Sequence, residues 1–409
     1  MSEHDEVEPG LDDTPIEAAL RGEVRAWMHG HAARFGRARG PRRVLDTPEF
    51  VAASRAWQRE LADGRWGAVT WPEAFGGRGF GPNEARIFRE EEQRYDVQTG
   101  TQHTSVAMVG PTIIAHGTSD QQQRFLGPIL RGETLYCQLF SEPDAGSDLA
   151  SLRTRAQRDG DEWVISGQKV WTSGAHHADR AILLARTGDE STSHDGITYF
   201  LLDMHQPGID VRPIVQINGA QHFNEVYLDE VRVADADRLG PVGEGWKVAR
   251  TTLGAERAMI GSIRVDDRVD RLIAAAKASG ANVDPVLRQE LVDVWIRASV
   301  LAFTSDRVLG ALRTGGSIGP EASILKLSLS TLIGRLGDLA MRVLGPEGLL
   351  SGGDGHGPYG ALQDSFLSQW SPRIGGGTEQ IQRNLIGERV LGLPREPAAT
   401  SGAPRPTAG

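Results

Sequence analysis

The sequence predicts an α+β protein in three parts: helices first, a sheet or small barrel in the middle, and a helical bundle at the end. Three observations carry this reading. From 15 to 135 the spacing is helical, with charged stretches such as EARIFREEEQRY alternating with apolar ones around the turn-rich WPEAFGGRGFGP. From 136 to 240 the segments EWVISGQKVW, RAILLAR, TYFLLDM and VYLDEVRV are short and β-rich, separated by clusters of Gly, Asp, Ser and His. From 241 to 395 helical spacing returns in WKVARTTLGAERAMIG and in VLRQELVDVWIRASVLAFTSDRVLGALR, the second long enough for a bundle helix. Residues 396–409, rich in Pro, Ala, Gly and Ser, read as a disordered tail, and so do the first dozen residues.

A chain of 409 residues exceeds a single core, which fits two or three cooperating domains. Its 39% hydrophobic and 24% charged residues are ordinary for a globular protein, and a net charge of -10 argues against a groove for nucleic acid. The lone Cys137 can form neither an internal disulfide nor a cysteine zinc site, which fits a reducing, cytoplasmic setting. No apolar run approaches the roughly 20 residues of a membrane helix. The acidic opening MSEHDEVEPG is unlike a secretory signal.

Several local patterns carry little. GHGPYG at 355–360 has glycines at dinucleotide spacing, yet it contains a proline and follows no β-branched strand. DAGSDLA lacks the strained elbow of a serine hydrolase. His176 and His177 are adjacent, so they point apart, and no further ligand sits at metal spacing; a loop or strand-edge role fits better. Two segments carry more. LFSEPDAGSDLA (139–150) ends a strand in a turn full of backbone donors and hydroxyls, and GQKVWTSGA (167–175) ends another with an indole and two hydroxyls. The pair suits a flat, heteroatom-edged ring, and equally reads as two β turns with an edge tryptophan.

Taken together, WPEAFGGRGF, LFSEPDAGSDLA, GQKVWTSGA, EVYLDEVRV, GEGWKVA and GGGTEQIQRNLIGERVLGLP, in that order across 20–395, resemble the acyl-CoA dehydrogenase family. The resemblance implies an N-terminal α domain, a middle β-barrel domain and a C-terminal four-helix bundle, with FAD as cofactor. It places Leu139, Phe140 and Ser141 at the flavin's pyrimidine edge, Trp171 beside the ring, and Thr172 and Ser173 in the loop that hydrogen-bonds near N5. Gly376, Gly377, Thr378 and Glu379 match the segment along the FAD diphosphate and adenosine, where exposed N–H groups suit an anion, and Thr378 suits a helix N-cap ahead of apolar Ile381 and Leu385. Ser147 matches a residue contacting the CoA portion of the substrate.

The implied reaction removes an α-proton and a β-hydride from an acyl-CoA thioester, giving the trans-2-enoyl-CoA, with electrons passed to an electron-transfer flavoprotein. It needs a carboxylate base, and where most members carry a glutamate this chain has Gly376. A second carboxylate is at hand. Trp246, Ala249, Leu253 and Ile260 form one helical stripe, and Glu256 shares its face. Burial can raise such a group into the range of a usable base. Read alone, an inward glutamate also fits a structural ion pair. A branch of the family carries its base at this position next to an arginine, so Glu256 is the implied base and Arg257 lies beside the substrate.

Departures concern the partner. AAAKASGANVDP lacks the arginine and phenylalanine that homotetrameric members lend a neighbour's FAD, and Arg342 stands where a glutamine is usual. The implied assembly is a homo-oligomer that holds FAD differently or, preferably, a hetero-oligomer with a related chain. Gly254 and Gly376 hint at a pocket widened for branched or polycyclic acyl groups. Two rivals remain at this point: a flavin-dependent oxidase or monooxygenase on the same fold, and a non-catalytic subunit.

Overall fold

The computed structural model describes residues 13–35, 47–95, 97, 100–188, 194–261, 265–313, 319–350 and 360–395. The expected tails, and GHGPYG up to residue 359, lie outside them.

The first layer consists of helices α1 (Pro15–His31), α2 (Pro48–Asp63), α3 (Pro82–Gln93), α4 (Gly110–His116) and α5 (Ser119–Leu130), with a π-helical segment, Thr104–Val109, running directly into α4. Three of these start where a threonine side chain accepts the N–H three residues on: Thr14 from Glu17, Thr47 from Phe50 and Thr118 from Gln121. Glu17 and Gln121 reach back to complete capping boxes. The WPEAFGG motif serves this layer. Trp71 is buried, and its Nε1 donates to Val106 O at 3.0 Å, which fixes the π segment.

The middle layer holds β1 (Tyr136–Leu139), β2 (Arg155–Asp159), β3 (Glu162–Ser173), β4 (Arg180–Arg186), β5 (Ile197–Asp203), β6 (Ile209–Pro213), β7 (Phe223–Ala234) and β8 (Arg238–Leu239). They form one sheet in the order β6-β7-β3-β2-β4-β5-β8, with β1 parallel to β4. The expected barrel is not formed. The sheet is an open path whose end strands, β6 and β8, do not bond to each other. Two residues of β8 are too few to carry a closing ladder, and β6 is a mostly exposed edge ending in Pro213, which has no N–H to donate.

The last layer comprises α6 (Gly245–Gly261), α7 (Asp266–Ser279), α8 (Pro285–Arg313), α9 (Ala322–Leu344), α10 (Gly360–Ser368), α11 (Ser371–Ile374) and α12 (Glu379–Leu385). Helices α7 to α10 share one core, in which Leu272, Leu291, Val294, Leu329, Leu332, Leu336 and Leu362 are buried, so the C-terminal part is a helix bundle. Helix α6 packs on the sheet and on the first layer as well as on α9 of the bundle. A Cβ at Gly245 would meet the Thr198 backbone at 2.6 Å, so only glycine lets α6 approach β5 this closely. Thr252 is fully buried and bonds both Thr112 of α4, at 3.0 Å, and Tyr199 of β5, at 3.1 Å. Among the described residues, no helix is long and apolar enough to cross a membrane.

Candidate active site

Leu139 and Phe140, at the end of β1, are buried, and the turn that follows is pinned from below by a lysine. Positions Trp163, Ile165 and Lys169 of β3 share one parity and all point inward. The Lys169 ammonium, with no exposed surface, donates to Phe140 O at 3.1 Å, Leu184 O at 2.8 Å and the Glu142 carboxylate at 2.8 Å. Glu142 also accepts the backbone N–H groups of Arg153, at 2.6 Å, and Thr154, at 2.9 Å. Burial pushes Lys169 down to about 8, against the pull of Glu142. Burial also opposes ionisation of Glu142, yet Lys169 and the backbone donors hold its carboxyl below the ordinary value. Val170 N donates to Ser141 O at 2.9 Å, which ties the first loop to the strand carrying the second.

That strand then breaks its ladder. Between the pairs Lys169↔Val226 and Thr172↔Asn224, two residues of β3 face one of β7, and Trp171 lies in this bulge with φ +61°. Its indole is 61% exposed and meets Phe223 edge-on at 6.1 Å. Thr172 points the other way. It is buried, and its hydroxyl has no hydrogen-bond partner among the described residues. Asn224, fully buried, donates to Thr172 O at 2.9 Å, and His176 Nδ1 lies 3.1 Å from the Asn224 carbonyl oxygen. His176 thus supports this loop through Asn224, and among the described residues no group of three His, Cys, Asp or Glu could hold a metal. Ser173 and Ser147 are exposed.

The second half of the site lies on α6 and the glycine turn. Gly245, Ala249 and Thr252 are buried along one face, and the half-buried Glu256 continues it. Trp246 and Leu253 flank that face half-buried, while the side chains of Arg257 and Ile260 lie outside the described residues. Gly376 and Gly377 have φ of +65° and +90°, a region that favours glycine. Thr378 caps α12 by accepting Ile381 N at 3.2 Å. The buried face of α12 differs from the expected one. Glu379 and Gln382 are buried, and Ile381 and Leu385 only half so, because Glu379 turns inward to Arg373, at 3.0 Å, and Ser330, at 3.3 Å. Burial opposes that charge, and Arg373, Ser330 and Arg383 hold its carboxyl below the ordinary value.

Lys326 of α9 joins these parts. It is 5% exposed, and its ammonium donates to Pro372 O, just ahead of the glycine turn. Burial pushes its pKa down while the charges of Glu379 and Glu256 pull it up, so both carboxylates lie within its field. Residues 139–142 and 169–172 are directly bonded to each other, and Glu256, Lys326 and Glu379 form a second electrostatic group. Sequence reasoning missed Lys169, Glu142 and Lys326. The parity of β3 could have found Lys169; nothing local marks Lys326.

Family models for the N-terminal, middle and C-terminal domains of acyl-CoA dehydrogenase match residues 14–133, 137–231 and 243–391. The chain belongs to the acyl-CoA dehydrogenase family. It is 39% identical to acyl-CoA dehydrogenase IpdE1 of Mycobacterium tuberculosis over 388 residues, 92% of this chain and 98% of that protein. Among solved structures it resembles the Tcur3481-Tcur3483 steroid ACAD at 28% identity and TM-score 0.80, covering 95% of this chain and 100% of that one. It also resembles the ChsE4-ChsE5 complex from Mycobacterium tuberculosis at 28% identity and TM-score 0.77, with the same coverage. The protein is an oxidoreductase with the FAD-dependent chemistry of this family. Its residues fit that cofactor: the exposed indole of Trp171 and the exposed hydroxyl residue Ser173, two positions apart on β3, offer a flat ring edged with heteroatoms an aromatic face and a hydrogen-bonding group on one side of the strand.

Proposed function

We propose that the chain dehydrogenates an acyl-CoA thioester to the trans-2-enoyl-CoA with Glu256 as the base. The carboxylate takes the α-proton, the electron pair left behind becomes the new C=C bond, and the β-hydrogen departs with its own pair. Bound FAD supplies the two-electron acceptor for that hydride, and an electron-transfer flavoprotein carries the electrons onward. Leu139, Phe140, Ser141, Trp171, Thr172 and Ser173 hold the flavin; Gly376, Gly377, Thr378 and Glu379 hold its diphosphate end; Ser147 and Arg257 meet the substrate. The observation that carries the reading is the half-buried Glu256, continuing the inward face of α6 within the field of Lys326. The glycine turn beyond Lys326 brings no carboxylate at Gly376 to compete with it.

A related second chain completes the assembly in this proposal. Arg342, where family members lend a neighbour a glutamine, is tied to Glu290 of its own bundle. Trp370 and Ile374, just ahead of the glycine turn, and Leu391, beyond the far end of α12, are more than half exposed, as suits surface that a partner covers. The two similar structures are each named as a pair of chains. The test of the base is Glu256→Gln. The purified variant is expected to keep its flavin and to lose anaerobic bleaching by acyl-CoA, and undiminished bleaching rejects Glu256.

A further inference from the structure

The glycine turn is closed at its base and fastened to a single helix. Arg373, ahead of the turn, meets Glu379, behind it: Arg373 Nε donates to Glu379 Oε1 at 3.0 Å, and Nη2 to Oε2 at 3.4 Å. The ion pair makes residues 373–379 a closed loop. Both flanks of that loop are held by one face of α9, which packs against α11 and α12. The buried Lys326 ammonium donates to Pro372 O, next to Arg373. Ser330, one helical turn further along and fully buried, donates to Glu379 Oε1 at 3.3 Å, sharing its hydrogen with Leu327 O at 3.1 Å. Inside the loop, Gly375 N donates to Ser371 O at 2.8 Å, and Gln382 Nε2 lies 3.4 Å from Gly376 O and 3.5 Å from Gly377 O.

The anchorage sets the direction of the backbone donors. The carbonyls of Gly376 and Gly377 face Gln382, and across a trans peptide the N–H lies opposite the C=O, so the N–H groups of Gly377 and Thr378 face away from it. Neither N–H bonds to another backbone group among the described residues. They are the donors that a diphosphate along this turn would meet. Three successive glycines lose more conformational freedom on ordering than other residues do, and a turn held only by its own backbone takes that loss when its ligand binds. Closure by Arg373 and Glu379, with attachment to α9 on both flanks, fixes the turn beforehand and lowers the ordering cost of binding.

We infer that Lys326 and Ser330 are positioning residues of the cofactor site: by fastening the loop closed by Arg373 and Glu379 to α9, they preset the glycine turn for the diphosphate end of FAD. The inference rests on the placement of FAD along this turn proposed above, and the two fail in different ways. Calorimetric titration of the full-length protein in its native assembly, stripped of flavin, measures FAD affinity for the wild type, Lys326→Met, Ser330→Ala and Gly377→Ala. Lys326→Met is expected to weaken FAD binding roughly tenfold, the order of one lost charge-assisted hydrogen bond, and Ser330→Ala, whose hydrogen is shared, roughly threefold. Once saturated, both keep the visible absorption band of the wild type, because the segments at β1 and β3 that hold the flavin ring are untouched. A merely structural role instead lowers the melting temperature of the flavin-free protein and leaves the FAD affinity of the folded protein as in the wild type. Gly377→Ala disturbs the turn itself, since its φ is +90° and its Cβ would meet Gln382 Nε2 at 2.5 Å. Unchanged FAD affinity in Gly377→Ala defeats the placement of FAD along the turn. Weakened binding there, with wild-type affinity in Lys326→Met and Ser330→Ala, leaves the placement standing and overturns the inference; so does a shifted absorption band in the saturated variants. Where Lys326→Met does not fold, Ser330→Ala decides alone.

Discussion

The ammonium of Lys169 and the carboxylate of Glu142 meet at 2.8 Å with side-chain exposures of 0% and 8%. This pair holds the turn after β1 against the bulged end of β3, the two segments that flank the flavin in the proposed arrangement.

Removing one member alone strands the other. Lys169→Met is expected to destabilise the protein by about 3–5 kcal/mol, while Lys169→Met with Glu142→Gln recovers most of that loss. Urea unfolding of the three proteins checks it; a single variant as stable as the double one rejects the coupling.

The same pair sets two pH windows. The folded Glu142 carboxyl lies below its ordinary 4.5, so its stabilisation is complete above that value and is lost as pH falls through the lower folded one. Lys169 lies near 8 when folded against 10.5 unfolded, so the unfolded chain holds more protons in between and stability rises with pH across that interval. The melting temperature of the wild type relative to the double variant should fall below pH 4.5 and climb between pH 8 and 10.5. A flat difference contradicts both assignments.

The proposed base should be movable. Glu256→Gln is expected to slow flavin bleaching by roughly a hundred- to ten-thousand-fold, the usual worth of a positioned base. Adding Gly376→Glu should return part of it, at a cost of about 1–2 kcal/mol for a side chain at positive φ. Stopped-flow bleaching measures the recovery; none at full FAD occupancy argues against the vacated-position reading.

Trp171 occupies its bulge against the conformational preference of a large side chain. Trp171→Asn, which tolerates positive φ, should leave the melting temperature of the flavin-free protein unchanged or higher. FAD affinity should fall by roughly five- to tenfold for the lost aromatic packing. Unchanged FAD affinity removes Trp171 from the flavin site.

Much of this protein is written locally. The α, β, α order follows from periodicity, which records which face of each element is buried. The start of α12 follows from Thr378, whose hydroxyl replaces a missing helical partner whatever surrounds it. The inward Glu256 follows from the spacing of α6, because a helix carries residues three and four apart onto one side. Relations between elements are decided elsewhere. An open sheet in place of a barrel depends on whether its end strands meet, and alternation along a strand is the same in either case. Lys326 reaches the glycine turn only because α9 packs against α11, and Glu92 of α3 meets Trp57 of α2 only because the folded first layer brings the two helices within reach. A long-range pair of charges leaves no trace in the spacing of either partner. Local sequence therefore determined the elements and the place of Glu256 on its helix face; the tertiary structure alone decided what pins the loops, because those bonds join residues far apart in the chain.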